Sequence, residues 1–231
     1  MNIVKQQFNS QADNFHSWAV TKNTEYMQRY ADFVNISKTD SILDVACGSG
    51  DFAVFMADKA MRVHGVDISE GMIDIAKKQA QVNHLGNIDF ECHNVEDLPC
   101  KRHSFSLVVC KSAFHHMENY TGVFKKKIRC CHPKGRLSIQ DITTYDSRKV
   151  NDYFEKFEKA VDISHHATLS QADYFQLFDQ NNIDIIRSLV VEVELNFNEY
   201  LSHAHQTKAR KERIDKLLSA GLSDPEISQF F

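Results

Sequence analysis

The residues with the clearest chemical potential lie together in Asp44-Val45-Ala46-Cys47-Gly48-Ser49-Gly50-Asp51-Phe52-Ala53. They contain the pattern G-x-G-x-x-G/A, and Asp67 follows about 20 residues later. Glycines at such a turn let the backbone approach a nucleoside closely, and a carboxylate closing the next strand can accept hydrogen bonds from ribose hydroxyls. Dinucleotide sites share both features, so the glycines alone do not name the ligand. Asp44, four residues before Gly48, narrows the choice. A pyrophosphate site needs an apolar strand residue there and backbone N–H groups facing the phosphates, and a carboxylate would repel them. It suits a ligand that carries an ammonium and a sulfonium.

A second group is built on histidine. Lys111-Ser112-Ala113-Phe114-His115-His116 follows an apolar strand pattern, and Asp162-Ile163-Ser164-His165-His166 comes later. Ligands of open α/β sheets sit outside the carboxyl ends of the strands, which places Lys111 to His116 at the mouth of the site. His115 and His116 are candidates for a general base or for donors that orient a substrate, with a side-chain pKa of ~6.5 suited to neutral pH. A stacked ring and a helix cap are the structural alternative for that pair. His165 and His166 read as a surface pair that could also close on the substrate. No metal is expected, because adjacent histidines do not readily place both rings on one ion and no Asp/Glu–His helical spacing accompanies them.

The elements that must position these residues alternate. Strands are expected at Ser41 to Ala46, Arg62 to Asp67, Ile88 to Cys92, Phe105 to Cys110 and Arg136 to Asp141. Helices are expected at Asp51 to Ala60, from Ser69, which caps a face of Met72, Ile73, Ala76 and Ala80, and near Tyr120 to Cys131. This β-α-β rhythm predicts an α/β, Rossmann-like doubly wound sheet, mostly parallel, with helices on both faces. An amphipathic helix over Thr21 to Val34 precedes it, and Phe8, Phe15 and Trp18 ahead of that suggest a lid. Pro133-Lys134-Gly135 reads as a turn. Beyond Tyr145 come a Phe-rich helix (Asn151 to Val161), a capping box at Ser170, a β-rich run from Ile183 to Phe197, and a polar helical tail. The expected division is a helical lid (1–38), a cofactor-binding core (39–145) and closing helices and strands of the same domain (146–231).

Composition excludes several classes of function. Hydrophobic residues at 42% with only 3 prolines fit a folded protein, and a net charge of −4 offers no general attraction to nucleic acid. No apolar run approaches the ~20 residues of a membrane span, and no secretory leader is visible, so the cytoplasm is expected. The six cysteines show no C-x-x-C pair and are read as reduced thiols, with Cys110 a small buried hydrophobe.

The order of these motifs resembles the class I S-adenosylmethionine (SAM) dependent methyltransferases, in particular the small-molecule branch that includes the ubiquinone and menaquinone biosynthesis C-methyltransferases. Leu43 to Gly50 is similar to that family's first motif, Gly65 to Ser69 to its ribose motif, and Asn94-Val95-Glu96-Asp97-Leu98-Pro99 to its adenine-contacting segment. The resemblance spans about Phe8 to Phe231. It implies SAM as methyl donor, with Asp44, Ala46, Cys47, Gly48 and Gly50 along the methionyl part, Asp67 and Ile68 at the ribose, Met72 nearby, and Asn94 and Val95 at the adenine. From its place at the mouth of the site, Lys111 is a candidate to reach the cofactor carboxylate, with a solvated lysine as the alternative. Asn94 replaces the more usual Asp, and its amide can both accept and donate. The two histidine segments resemble a bacterial subgroup whose members mostly lack assigned substrates. A small, apolar or aromatic methyl acceptor is expected, methylated on C or O. A non-catalytic SAM-binding protein and an NAD(P)-dependent oxidoreductase are the alternatives. Related folds end in an antiparallel hairpin, and the last strand of that hairpin has no counterpart in the sequence. The expected sheet therefore has six strands or borrows its edge from a second copy.

Overall fold

In the computed structural model, residues 3–18, 22–98, 100–193, 196–202 and 207–231 are described. The chain divides into two compact units, one formed by residues up to 114 with 119–141, the other by 115–118 with 142–231.

The first unit is built on five parallel strands, β1 (Ser41–Val45), β2 (Arg62–Asp67), β3 (Ile88–Cys92), β4 (Phe105–Lys111) and β5 (Cys131–Gln140), in the order β3-β2-β1-β4-β5. Every residue of central β1 is buried, as expected of a parallel strand covered on both faces. Its register sets Asp44 beside Gly65 of β2 and Val109 of β4. Order reverses between β1 and β4, the usual place for a ligand in such sheets.

Helices α1 (Ile3–Ser17), α2 (Thr24–Phe33), α3 (Asp51–Ala57), α4 (Glu70–Val82) and α5 (Tyr120–Cys130) belong to this unit. Ser69 caps α4 by accepting from Met72 N–H, and Asn119 caps α5 by accepting from Gly122 N–H. Met27, Tyr30, Phe52, Met56, Ile73 and Phe90 pack with Ile42, Val63 and Leu107 in one apolar cluster. Tyr30 of α2 shares a 2.8 Å hydrogen bond with Ser138 of β5.

Helix α1 occupies the polar stretch in which the sequence shows only scattered aromatics. It is held by tertiary bonds more than by an apolar face. Asn9 Oδ1 accepts from Ser69 Oγ and Gly71 N–H, and Lys5 pairs with Glu70 at 2.5 Å. The expected turn at Pro133 to Gly135 lies inside β5, where three extra residues bulge between the pairs Phe105–Cys131 and Leu107–Arg136.

The cysteine expectation is also corrected. Cys100 and Cys130 form a disulfide with Cα atoms 6.0 Å apart, inside the range such a bond requires. The two cysteines are 30 positions apart, and β4 and the returning helix α5, which ends on Cys130, bring them back together. Sequence spacing does not show that return.

The second unit contains α6 (Arg148–Val161), α7 (Gln171–Asp179), α8 (Phe197–Ser202) and α9 (Lys208–Leu222). Val150, Tyr153, Phe157, Ala160 and Val161 of α6 pack on Ile214 and Ile227, and Phe231 meets the rings of Phe154, Phe157 and Phe197. Ser170 and Asp173 form the expected capping box of α7. The described residues of the β-rich run form no strand, and positions 194 and 195 of it lie outside the described residues. Residues 183–193 are irregular, with Ile186 79% and Leu189 66% exposed. An extended segment gains its backbone bonds only from a neighbouring strand, and among the described residues none pairs with this one. Among the described residues the sheet therefore has five strands, not six.

Candidate active site

The loop after β1 is shaped by its backbone. Ala46, Gly48 and Gly50 have φ of 59°, 55° and 82°, so the chain turns sharply before α3 begins at Asp51. A Cβ on Gly50 would lie 2.7 Å from Ala76 Cβ of α4, so glycine is required by space as well as by φ. At Gly48 an added Cβ meets nothing within 4 Å, so the space above this glycine is open.

Asp67, at the end of β2, locks that loop. Its Oδ2 accepts from Gly48 N–H and its Oδ1 from Ser69 N–H, both at 2.9 Å. Each carboxylate oxygen keeps a second acceptor site for ribose hydroxyls. Burial still raises its pKa, against the backbone bonds from Ser69, Gly48 and Ile68. Ile68 is half-buried, and Met72, held by its N–H bond to Ser69, is buried.

Asp44 is 2% exposed. Burial pushes its carboxyl up to about 7, with Lys111 opposing and Asp67 adding to the rise. Burial lowers the pKa of Lys111, against the attraction of Asp44 and Asp141, and its Nζ lies 5.6 Å from the centroid of the Tyr26 ring. Lys127 of α5 is a buried cation that the sequence reading passed over. It faces the Phe114 ring at 4.9 Å, and burial lowers its pKa while Cys110 and Asp44 draw it back. The Cys47 thiol is raised by burial and by Asp67 and Asp44, which makes it a lining group and not a thiolate.

Asn94 accepts from Glu96 N–H at 3.0 Å and so caps a short 3-10 turn at Val95–Asp97. Its carbonyl is committed to this cap, so the NH2 group is the part suited to a ring nitrogen. Val95 is half-buried beside it. At the other strand end, Asp141 Oδ2 accepts from Ala113 and Phe114 N–H, just after Ser112 with its φ of 51°. This bond holds the backbone that carries the chain into His115. No motif pointed to Asp141.

In the second unit His115 and His116 stack at 4.0 Å between ring centroids, and His115 lies 5.5 Å from His165. The pair expected at the surface is split. His165 is 5% exposed and bonded to Glu155 Oε1, whereas His166 is exposed. Burial and the neighbouring His115 lower the pKa of His165. Residues 162–167 wrap the pair, since His166 and Ala167 N–H both donate to the His115 carbonyl. Ser164 bonds His116 Nδ1, and Glu158, raised by burial, accepts from Tyr200 Oη and interacts with His115. Ser164, Asp162, Glu155, Glu158 and Tyr200 are the partners that sequence reasoning missed. Only Asp162 and Ser164 had any signal, as parts of the D-x-S-H-H segment.

Comparison with known proteins fits this geometry. Residues 42–135 match the family model of a methyltransferase domain. A ubiquinone biosynthesis O-methyltransferase of Neisseria meningitidis is 30% identical over 120 residues, 51% of this chain and 49% of the relative. The uncharacterized methyltransferase YcgJ of Bacillus subtilis is 23% identical over 142 residues, 62% of this chain and 56% of the relative. The chain thus spans about half the length of the curated relatives it matches. The solved structure of YcgJ superposes with a TM-score of 0.81 at 18% identity, covering 90% of this chain and 88% of that one. A Bacillus halodurans structure gives 0.82 at 20%, covering 89% and 88%. The strand order and the solved neighbours agree on a Rossmann-like fold, and residues 42–135, which include the glycine loop locked by Asp67, match a methyltransferase domain.

Proposed function

We propose that the protein is a SAM-dependent methyltransferase acting on a small, apolar or aromatic molecule at carbon or oxygen. The carrying observation is the pair of buried carboxylates, Asp44 and Asp67, on either side of a glycine loop with open space above Gly48. A donor set this acidic fits a cationic adenosyl ligand and opposes a pyrophosphate. SAM supplies the methyl group for an in-line displacement. Asp44 meets the ammonium, Asp67 the ribose hydroxyls, the Asn94 amide the adenine, and Lys111 the carboxylate. Methyl transfer disperses charge, so alignment and exclusion of water supply most of the acceleration. His115 and His116 serve the acceptor.

Calorimetric titration of the purified protein with SAM, S-adenosylhomocysteine and NAD tests this reading. Binding of both adenosyl ligands without NAD is expected, and binding of NAD alone overturns it. Transfer of label from SAM into a pool of small metabolites separates an enzyme from a binding protein.

A further inference from the structure

Strand β3 lies at the edge of the sheet of the first unit, and its side chains alternate in direction. Phe90 is buried in the apolar cluster beside Gly50 and Gly65, whereas Asp89 and Glu91 are exposed on the opposite face. The parallel register sets Asp89 beside His64 of β2, and His64 Nδ1 bonds Asp89 Oδ2. One donor atom each from His64, Asp89 and Glu91 lie within 4.8 Å of one another. His93 follows, with Nε2 3.2 Å from Glu91 Oε2.

Two further observations set this group apart from an ordinary charged strand edge. Among the described residues, no Lys or Arg pairs with either carboxylate, and only imidazoles do. Arg62, two positions before His64, spends its guanidinium elsewhere: on Ser41 Oγ at 2.6 Å, the Ser104 carbonyl at 3.1 Å and the Phe105 ring at 5.5 Å. With neutral imidazoles the group carries two uncompensated negative charges, which a dication matches. The His64 ring is also braced, since it stacks on Phe105 with centroids 6.2 Å apart and planes 19° apart.

We propose that His64, Asp89 and Glu91 hold a zinc-class divalent cation that ties edge strand β3 to β2, with His93 orienting Glu91 from behind. Imidazole mixed with carboxylates is a donor set for such ions, whereas magnesium and calcium take oxygen alone. Tetrahedral zinc holds its donors roughly 3.4 Å apart, and small rotations of two exposed carboxylates close the remaining distance. Glu91 has a second oxygen for the metal while Oε2 meets His93, the arrangement by which outer partners fix a ligand. Three protein ligands leave the fourth position to water. The site is separate from the glycine loop, because His64 precedes Asp67 by about 10 Å along β2. It therefore stands whether or not the protein transfers methyl groups.

The test is calorimetric titration of the full-length, EDTA-treated protein with zinc chloride, repeated with cobalt(II) for its visible absorption. The wild type is expected to bind one equivalent of zinc and to melt at a higher temperature with it, and magnesium is expected not to compete. His64→Gln and Glu91→Gln should each weaken zinc binding at least 100-fold and abolish the thermal shift, and His93→Gln should weaken it about 10-fold. Melting of each EDTA-treated variant beside the EDTA-treated wild type shows that it folds. Absence of zinc binding by the wild type overturns the site and leaves His64 and Asp89 as an ion pair only. Equal binding by wild type and Glu91→Gln, or a thiolate charge-transfer band with cobalt, overturns it in favour of ligands elsewhere in the chain.

Discussion

Asp44 and Asp67 of the first unit and Glu155 of the second are held in opposite ways. In the first, Asp44 and Asp67 are buried side chains whose pKa values are raised, so their ionised forms are under-compensated. In the second, Glu155 is held below the usual carboxylate range. Burial opposes this, but the bonds from Thr168 and His165 outweigh it. The raised carboxyls of Asp44 and Asp67, opposed at Asp44 by Lys111 and Lys127, suit a site completed by a cation. Glu155 has its charge satisfied by its own hydrogen bonds, although Glu158 of the same helix is raised by burial.

The sharpest way to break this contrast is to neutralise Asp44. Asp44→Asn is expected to weaken SAM binding by about 100-fold in calorimetry. His116→Gln is expected to leave SAM binding unchanged, and an equal loss from both would dissolve the distinction. The same carboxylate sets a pH window. Its folded pKa of about 7 lies above the unfolded value, so its contribution to stability is complete below about 4 and lost as pH rises through 7. SAM affinity runs the other way, falling about tenfold per unit as pH drops below 7, where the carboxyl is protonated.

Gly50→Ala should cost about 1–3 kcal/mol in chemical denaturation, because the new methyl meets Ala76 in a left-handed backbone. The smallest effect belongs to the second unit. Glu155→Gln is expected to cost about 1 kcal/mol near neutral pH by removing charge-assisted bonds to Thr168 and His165. The depressed carboxyl of Glu155 contributes stability above its unfolded pKa and loses it as pH falls through the folded one. Titrated towards acid, the variant should therefore converge on the wild type.

The same contrast explains what could be read from the residues alone. Gly48, Gly50 and Asp67 are legible because a tight turn and a strand end restrict residue type locally, and the ranges Arg62–Asp67 and Ile88–Cys92 follow from apolar patterning. Helix α1 is not legible, since Asn9 and Lys5 find their partners on α4 some 60 positions away. His165 shares its neighbours' chemistry, and only the placement of Glu155 one segment earlier separates it from exposed His166. Residues 183–193 have the composition of a strand, but composition cannot supply the strand that must lie beside them.

The disulfide between Cys100 and Cys130 closes a covalent ring around residues 100–130, and Lys111, His115 and His116 are all inside it. A protease that nicks the backbone within this ring leaves a single molecule of unchanged mass apart from one added water. On a denaturing gel the nicked protein would run as one band until a thiol reductant separates the fragments. Damage to the stretch that joins the two units is therefore hidden in any assay performed without reductant.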